Sequence, residues 1–199
     1  NNLTNPGCGP GTGASRRGAF IQVPMLQDSF WQVPPPADNT ATLLSWVDNN
    51  CTNSVEVFAD GFTPINGSLR DMKRYFSTTG WTAQDNSVTY ATPLASQDLA
   101  GTGVNGSTAC RPVNILFVTD GDETCDSQAD AVAAAQDLYQ NGVTVSGKNF
   151  KIRTYMINFA GGSQQNSDQI AAAGGTGQSL FASNETDLAI GLSNIIAAA

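Results

Sequence analysis

The stretch VNILFVTDGDETC, residues 113–125, decides the fold class of this chain. Its first seven residues, Val113–Thr119, are nearly all apolar and rich in β-branched side chains. Such a run is typical of a central strand that is covered on both faces of a parallel sheet. The run ends in a cluster of carboxylates at Asp120, Asp122 and Glu123. Because parallel sheets bind ligands beyond the carboxyl ends of their strands, this turn is the first candidate site.

Helical and strand patterns alternate on the C-terminal side of that strand. An amphipathic helix is predicted over 127–141, a strand over 151–160, a short helix over 164–173 and a short strand over 179–182. Asn184 then caps a last helix, whose core-facing residues are expected to be Leu188, Leu192, Ile195 and Ile196. This alternation predicts parallel βαβ units and an α/β fold, with a Rossmann-like open, mostly parallel sheet between helices on both faces.

Two helices and a short strand are predicted on the N-terminal side. Thr63 and Pro64 open a helix whose core-facing stripe is Ile65, Leu69, Met72 and Phe76. Thr63 is the N-cap of this helix, and its hydroxyl either closes the helix end or faces outward to a ligand. Residues 18–24 alternate as a strand. An earlier helix begins at Asn39 or Thr40, and its inner side is expected to carry Leu43, Leu44, Trp46 and Val47.

Composition predicts one domain preceded by a loop. Residues 1–17 are rich in Gly, Pro, Asn and Thr, and they form either a loop that is ordered by its contacts or a frayed end. Residues 18–199 form the domain, with a long polar insert and one short hairpin at about 80–109. The chain starts with asparagine, and we expect it to be a processed piece or a part of a longer protein.

The composition also excludes several kinds of chemistry. None of the 199 residues is histidine, which rules out Ser-His-Asp triads, Cys-His pairs and zinc sites that use histidine. Aspartate and glutamate number 17 against 9 lysines and arginines, and this net charge of -8 argues against nucleic acid as a partner. No run approaches the ~20 apolar residues of a membrane span, so no membrane insertion is expected for this piece.

The four cysteines, Cys8, Cys51, Cys110 and Cys125, include no Cys-x-x-Cys pair. An even number without such a pair favours disulfides in an oxidising, extracytoplasmic compartment over a zinc or redox motif. Three pairings are open, and free buried cysteines are the alternative. We favour Cys8–Cys51 with Cys110–Cys125, because the second pair flanks one apolar strand and the first lies in the N-terminal part.

Three motifs taken together carry a family resemblance. They are ILFVTDGDETC, the helix that begins at Thr63 and ends in RDMKRYF, and the pattern YMINFAGG…IAAAGGTGQSLFASNETDLAIGLSNII. This combination resembles the von Willebrand factor A-type (vWA) domain, and most closely the branch found in type IV pilus tip-associated adhesins of the PilY type. The resemblance runs from about Gly18 to Ile196 and implies a vWA-like fold with a metal-ion-dependent adhesion site at the top of the sheet.

The resemblance implies a site for Mg²⁺ or Mn²⁺ that is built from oxygen ligands, the kind that a small hard cation prefers. In the family, the ligands come from an Asp-x-Ser-x-Ser loop after the first strand, a threonine in a second loop and the aspartate of Thr-Asp-Gly. A carboxylate from the partner completes the shell. By position, Thr63 matches the threonine and Asp120 the aspartate, while Asp122 and Asp126 are weaker candidates.

The chain departs from the family pattern at its amino end. The first strand and its Asp-x-Ser-x-Ser loop are expected before Gly18 and are not in these 199 residues. The segment Asp85-Asn86-Ser87-Val88-Thr89 has a similar pattern of residues, but it follows the threonine loop and no apolar strand leads into it, so the match is attributed to chance. The sheet is therefore predicted to lack its first strand. An upstream segment or a separate chain supplies it, or this member has lost the site.

A calcium loop is the alternative interpretation of the acidic turn. Asp120, Asp122, Thr124 and Asp126 recur at every second residue, as the ligands of such a loop do. The glycine that turns a calcium loop is absent at Cys125, and the preceding strand favours the Thr-Asp-Gly interpretation.

Two function classes follow. The first is an extracellular adhesion module on a pilus tip or bacterial surface, which engages a host ligand or pilus subunits through its metal ion. The second is a structural subunit or domain of a pilus, filament or surface layer with a vestigial metal site. An enzyme is not expected: Glu123 with Asp120 or Asp126 imitates the paired carboxylates of a glycosidase, but all three lie within seven residues on one loop.

Overall fold

The computed structural model describes residues 8–25, 39–47, 61–77, 81–82, 88–95, 112–159 and 161–198. A short 3-10 helix at Gly13–Ser15 comes first in these ranges, and two α-helices follow, α1 (Thr40–Val47) and α2 (Ile65–Ser77). Strands β1 (Trp81–Thr82) and β2 (Thr89–Tyr90) then pair antiparallel. This pair matches the short hairpin that the sequence predicts within the polar insert.

Strands and helices alternate through the rest of the described chain. The elements are β3 (Val113–Thr119), α3 (Gln128–Gln140), β4 (Val143–Val145), β5 (Lys148–Phe150), β6 (Ile152–Phe159), α4 (Gln164–Ala173), β7 (Leu180–Ala182) and α5 (Glu185–Ala198). β3, β6 and β7 form a parallel sheet in that order, and β4 pairs with β5 in a separate antiparallel hairpin. The chain is therefore an α/β protein with an open parallel sheet, as the sequence predicts.

Helix α2 forms where its apolar stripe predicts it. Ile65, Leu69 and Phe76 are buried, and Met72 packs against the same core at partial burial. Helix α3 begins after Ser127, whose hydroxyl accepts a hydrogen bond from the backbone N–H of Asp130. The Asp130 carboxylate accepts in return from the backbone of Ser127, and this reciprocal pair satisfies two N–H groups at the helix start.

The two faces of the sheet carry different helices. On one face, Ile115 and Met156 join a large cluster to which α2, α3 and α4 contribute Leu69, Leu138 and Ile170. On the other face, Ile157 and Ala182 pack against Ile195 of α5, with Leu188 and Leu192 beside them. Because successive side chains of a strand point to opposite faces, β6 supplies both clusters. The prediction of helices on both faces is confirmed.

The prediction that β3 is covered on both faces is wrong. Leu116 is 41% exposed and Val118 is 48% exposed, although Val113 and Ile115 on the opposite face are buried. Helix α5 covers this side of the sheet, but it packs against β7 and β6. β3 lies at the far end of the three-stranded sheet, so two apolar side chains remain in contact with solvent.

Three apolar residues predicted to face the core are also exposed. Leu43 and Leu44 of α1 are more than half exposed, whereas Trp46 of the same helix is half-buried. Ile196 is 74% exposed while Ile195 is buried. Consecutive helical residues point about 100° apart, so only one of two adjacent isoleucines faces the sheet.

Residues 18–24 do not form the predicted strand. The backbone N–H groups of Gly18 and Ala19 donate to Oδ2 of Asp71 in helix α2, at 2.9 and 3.1 Å. A side chain therefore satisfies the donors that a neighbouring strand would otherwise take. The apolar signal in this segment comes from Ile21, which is buried in the core.

Candidate functional site

The acidic turn lies at the carboxyl end of β3, where the sequence predicts a site. The carboxylate of Asp120 is exposed and has no hydrogen bond or ion pair within the described residues. The glycine turn after β6 packs directly on this turn, and a Cβ atom on Gly161 would overlap the carbonyl oxygen of Asp120. Asp122 accepts a hydrogen bond from the backbone N–H of Ser163 at 2.8 Å. The ends of two neighbouring parallel strands are thereby tied together.

Thr63 lies against the same turn. Its backbone N–H donates to the hydroxyl of Thr124 at 2.7 Å, and the N–H of Thr124 donates to the carbonyl of Thr63 at 3.2 Å. A Cβ atom on Gly121 would lie only 3.0 Å from Oγ1 of Thr63. The structure therefore brings together the two residues that the family resemblance singles out, Thr63 and the Asp120–Gly121 turn.

The cap of helix α2 is supplied by Glu123 and not by Thr63. The N–H of Asn66, in the first turn of the helix, donates to Oε2 of Glu123. Oε1 of Glu123 accepts from the N–H groups of Cys125 and Asp126, at 2.7 and 3.1 Å. Within the described residues the Thr63 hydroxyl makes no hydrogen bond to α2, so it does not close the start of that helix.

This role of Glu123 is missed by the sequence, which suggests it only as one of two paired carboxylates. A carboxylate at a helix N-terminus is favourable because the helix dipole and the unpaired N–H groups both attract negative charge. The signal is not local, because Glu123 lies 57 residues after the helix residue that it caps.

Asp126 is held by four hydrogen bonds. Oδ2 accepts from Nε of Arg16 at 2.7 Å and from Nδ2 of Asn66 at 2.9 Å. Oδ1 accepts from Nη2 of Arg16 at 2.9 Å and from the N–H of Gly13 at 3.2 Å. The hydrogen bond from Arg16 is the main reason that the pKa of Asp126 falls from 3.8 to about 2, against the opposing effect of burial. Both carboxylate oxygens are engaged, so we leave Asp126 out of the candidate metal ligands.

The predicted disulfides are wrong for both described cysteines. Cys8 is bonded to Cys125, with a Cα–Cα distance of 5.2 Å, so neither Cys8–Cys51 nor Cys110–Cys125 forms. The physical reason is that residues 8–17 fold across the acidic turn, which places Cys8 beside Cys125 despite a sequence separation of 117. Cys51 and Cys110 lie outside the described residues, as do Asp85, Asn86 and Ser87.

Residues 8–17, which we call the strap, are not a frayed end. The guanidinium of Arg16 donates to the carbonyl oxygens of Gly9 and Cys125, at 2.8 and 2.9 Å. Nδ2 of Asn66 donates to the carbonyl of Gly13 at 2.8 Å. The strap is thus a loop ordered by its contacts, the other alternative that the composition leaves open.

The oxygen ligands at the turn are of the type that binds a small divalent cation, but in the described part of the chain there are too few of them to hold one. Thr63 offers a hydroxyl and Asp120 a carboxylate, both oxygen ligands of the type that Mg²⁺ and Mn²⁺ prefer. Asp122 keeps one oxygen that Ser163 does not use. Among the described residues, however, no three His, Cys, Asp or Glu side chains are grouped closely enough to hold a metal ion. A cation at this turn therefore requires further ligands.

None of the described helices combines the length and the apolar character needed to cross a membrane. No protein-family model, curated protein or solved structure matches this chain.

Proposed function

We propose that this chain is an extracellular binding module resembling the vWA domain of a type IV pilus tip adhesin. It engages a protein partner, either a host surface ligand or a pilus subunit, through a Mg²⁺ or Mn²⁺ ion. The observation that supports this proposal is the meeting of Thr63 with the Asp120–Gly121 turn at the carboxyl end of β3. Within the described residues, neither the hydroxyl of Thr63 nor the carboxylate of Asp120 takes part in a hydrogen bond.

The chemistry of this pair supports a cation more than a reaction. The Thr63 hydroxyl and the Asp120 carboxylate are oxygen donors of the kind that Mg²⁺ prefers, and Mg²⁺ retains water or ligand positions for a partner. Glu123 and Asp126, the two carboxylates that a glycosidase-like pair on this loop would use with Asp120 or with each other, are engaged in structural hydrogen bonds. The proposal is therefore a binding protein and not an enzyme.

The missing ligands are proposed to come from residues outside the described part of the chain. β3 is the end strand of the described sheet, and Leu116 and Val118 on one of its faces are exposed. Parallel sheets are normally covered on both faces, and an end strand with apolar side chains readily accepts another strand. A strand from a separate chain or from elsewhere in the protein, added beside β3, would end next to Asp120.

A cell-surface or extracellular location belongs to the same proposal. The Cys8–Cys125 disulfide supports it, because disulfides persist in oxidising compartments. The net charge of -8 supports a protein partner over nucleic acid.

Calorimetry with Mn²⁺ and Mg²⁺ on the intact assembled protein tests the metal site. Asp120→Ala and Thr63→Val each remove one proposed ligand, and we expect each to weaken binding at least about tenfold. Glu185→Gln is the matched control, because it removes an exposed carboxylate on α5 and is expected to leave affinity unchanged. Unchanged affinity in the Asp120→Ala protein would refute the metal-dependent proposal.

A structural role is the second candidate, and the exposure of Leu116 and Val118 favours it. In this case the uncovered face of β3 packs against a neighbouring subunit, and the metal site is vestigial. Sedimentation velocity tests the idea with Leu116→Gln and Val118→Gln combined, which should keep the fold and reduce assembly. Ile196→Gln, another exposed apolar position, is the control. Equal assembly in both proteins would count against the structural role.

A further inference from the structure

We propose that the strap is a redox-sensitive latch on the candidate site. The Cys8–Cys125 disulfide keeps the strap seated, and its reduction releases residues 8–17 and loosens the turn at 120–126 while the parallel sheet stays folded. The latch itself does not depend on a metal ion. Its consequence for metal binding rests on the proposed function.

The strap is fastened by polar contacts and by the disulfide, with little apolar packing. Arg16 is its one buried residue, and the hydrophobic clusters of the described chain begin at Ile21, beyond the strap. Opening the strap therefore exposes little apolar surface, which is the condition for local unfolding without loss of the core.

The strap is fastened at three places. Arg74 of α2 donates to the carbonyls of Ala14 and Arg16, and Arg17 pairs with Asp71 and donates to the carbonyl of Thr82 in β1.

Most of the remaining contacts meet at two adjacent residues of the turn. Cys125 carries the disulfide, and its carbonyl accepts from Arg16. Asp126 receives the guanidinium of Arg16 and the N–H of Gly13. The hydrogen bonds of Arg16 and Asp126 are charge-assisted and hold the strap in the folded protein, but water can take over each of them once the strap is detached. The disulfide is the one connection that water cannot replace.

Hydrogen bonds join the turn at 120–126 to the start of helix α2, so release of the strap is expected to affect this helix as well. Glu123 bonds the N–H groups of Cys125 and Asp126 on one side and the N–H of Asn66 on the other. Asn66 in turn bridges Gly13 and Asp126 through its side chain. Helix α2 begins two residues after Thr63, so a loosened turn changes where the Thr63 hydroxyl lies relative to Asp120.

The reduction step uses a dithiol as the reductant. A thiolate of the dithiol attacks one sulfur, and the Cys8–Cys125 bond breaks to leave one free cysteine and a mixed disulfide on the other. The second thiol of the reagent then attacks its own sulfur in that mixed disulfide and releases the second cysteine as a thiolate. Cys8 and Cys125 end as thiols with two protons gained, and the dithiol ends as its own disulfide. Both cysteines are half-buried, so a small reagent reaches them.

Limited trypsin digestion tests the latch, because the strap carries two cleavage sites, Arg16 and Arg17, and the sheet carries Arg153 in β6. We expect reduction to accelerate cleavage at Arg16 and Arg17 at least about tenfold, with Arg153 cut much later and the far-ultraviolet circular dichroism retained. The unreduced Cys8→Ser/Cys125→Ser protein should behave in the same way, and added dithiol should change its strap cleavage no further.

Two results would overturn the latch. Unchanged cleavage at Arg16 and Arg17 after reduction would show that the polar contacts alone hold the strap. Equal acceleration at Arg153 would show that the disulfide staples the whole fold and not the strap. Mn²⁺ titration of the oxidised and reduced proteins then separates the two proposals. Failure of the oxidised, intact assembled protein to bind Mn²⁺ refutes the metal site, while the cleavage result still decides the latch.

Discussion

Nε of Arg16 lies 2.7 Å from Oδ2 of Asp126, and Nη2 of the same guanidinium lies 2.9 Å from Oδ1. Both side chains are nearly buried, with 10% and 6% of their surfaces exposed. A guanidinium matches the two oxygens of a carboxylate in this geometry, which strengthens the pair beyond a single contact. The pair fixes the strap to the acidic turn.

Removing the charge of Asp126 should destabilise the protein, because it leaves the buried guanidinium of Arg16 without a counter-charge. We expect Asp126→Asn to lower the free energy of unfolding by about 3 kcal/mol in urea titrations. Glu185→Gln, at an exposed carboxylate, should change it by less than about 0.5 kcal/mol. Arg16→Met combined with Asp126→Asn should cost less than the sum of the two single substitutions. Additive costs would contradict a direct coupling.

Stability should fall in acid as Asp126 takes up a proton. The hydrogen bond from Arg16, helped by Asn66 and Gly13, holds the pKa of Asp126 at about 2 against an ordinary value of 3.8. Because the pKa is lower in the folded than in the unfolded state, the ionised carboxylate stabilises the folded protein. This stabilisation is fully present above about pH 5 and is lost as the pH falls toward 2. This contribution is roughly 2 kcal/mol. Urea titrations at descending pH should show a smaller acid-induced loss for Asp126→Asn than for the unsubstituted protein.

Alanine substitutions at Gly175 and Gly177 should distinguish the cost of a left-handed backbone from the cost of a steric clash. Gly175 and Gly177 have φ angles of +79° and +88°, but a Cβ on Gly175 would lie 2.5 Å from the Tyr139 ring, whereas one on Gly177 would meet nothing within 4 Å. Gly177→Ala should therefore cost about 1 kcal/mol, from the left-handed backbone alone. Gly175→Ala should cost about 2 kcal/mol more, because the ring must move. Equal losses in thermal denaturation would show that Tyr139 yields freely.

The disulfide can be mapped directly. Proteolysis without reduction, followed by mass spectrometry, should yield one linked pair of peptides containing Cys8 and Cys125, which separate after reduction. A peptide that links Cys8 to Cys51, or Cys110 to Cys125, would contradict the structure. Alkylation before digestion is the control, because it prevents exchange during sample handling.

The elements that the sequence predicts well are those specified by short-range patterns. Ile65, Leu69 and Phe76 repeat at helical spacing, and all three are buried on α2 as expected. The run from Val113 to Thr119 forms a parallel strand because its β-branched side chains suit a pleated, buried surface. A local pattern does not reveal which strand or helix lies alongside, so the exposure of Leu116 is not foreseen.

In the candidate site, too, the sequence predicts the features that depend on local patterns and misses those that depend on long-range contacts. The position of Asp120 after an apolar strand can be predicted from the sequence, and the structure places it at the carboxyl end of β3. The partners of Glu123 and Asp126 are not readable, because they lie 57 and 110 residues away along the chain. No periodicity spans such distances, so only the folded chain reveals that these two carboxylates serve structure.

The Cys8–Cys125 bond joins cysteines that are not neighbours in the chain, because Cys51 and Cys110 lie between them. During synthesis Cys8 emerges long before Cys125, and the next thiol that it meets is Cys51. Pairing in order of emergence would trap Cys8 with the wrong partner, and thiolate attack on that bond is the route to the native one. We therefore expect maturation of this protein to depend on a disulfide isomerase, and oxidative refolding yields should rise when one is added.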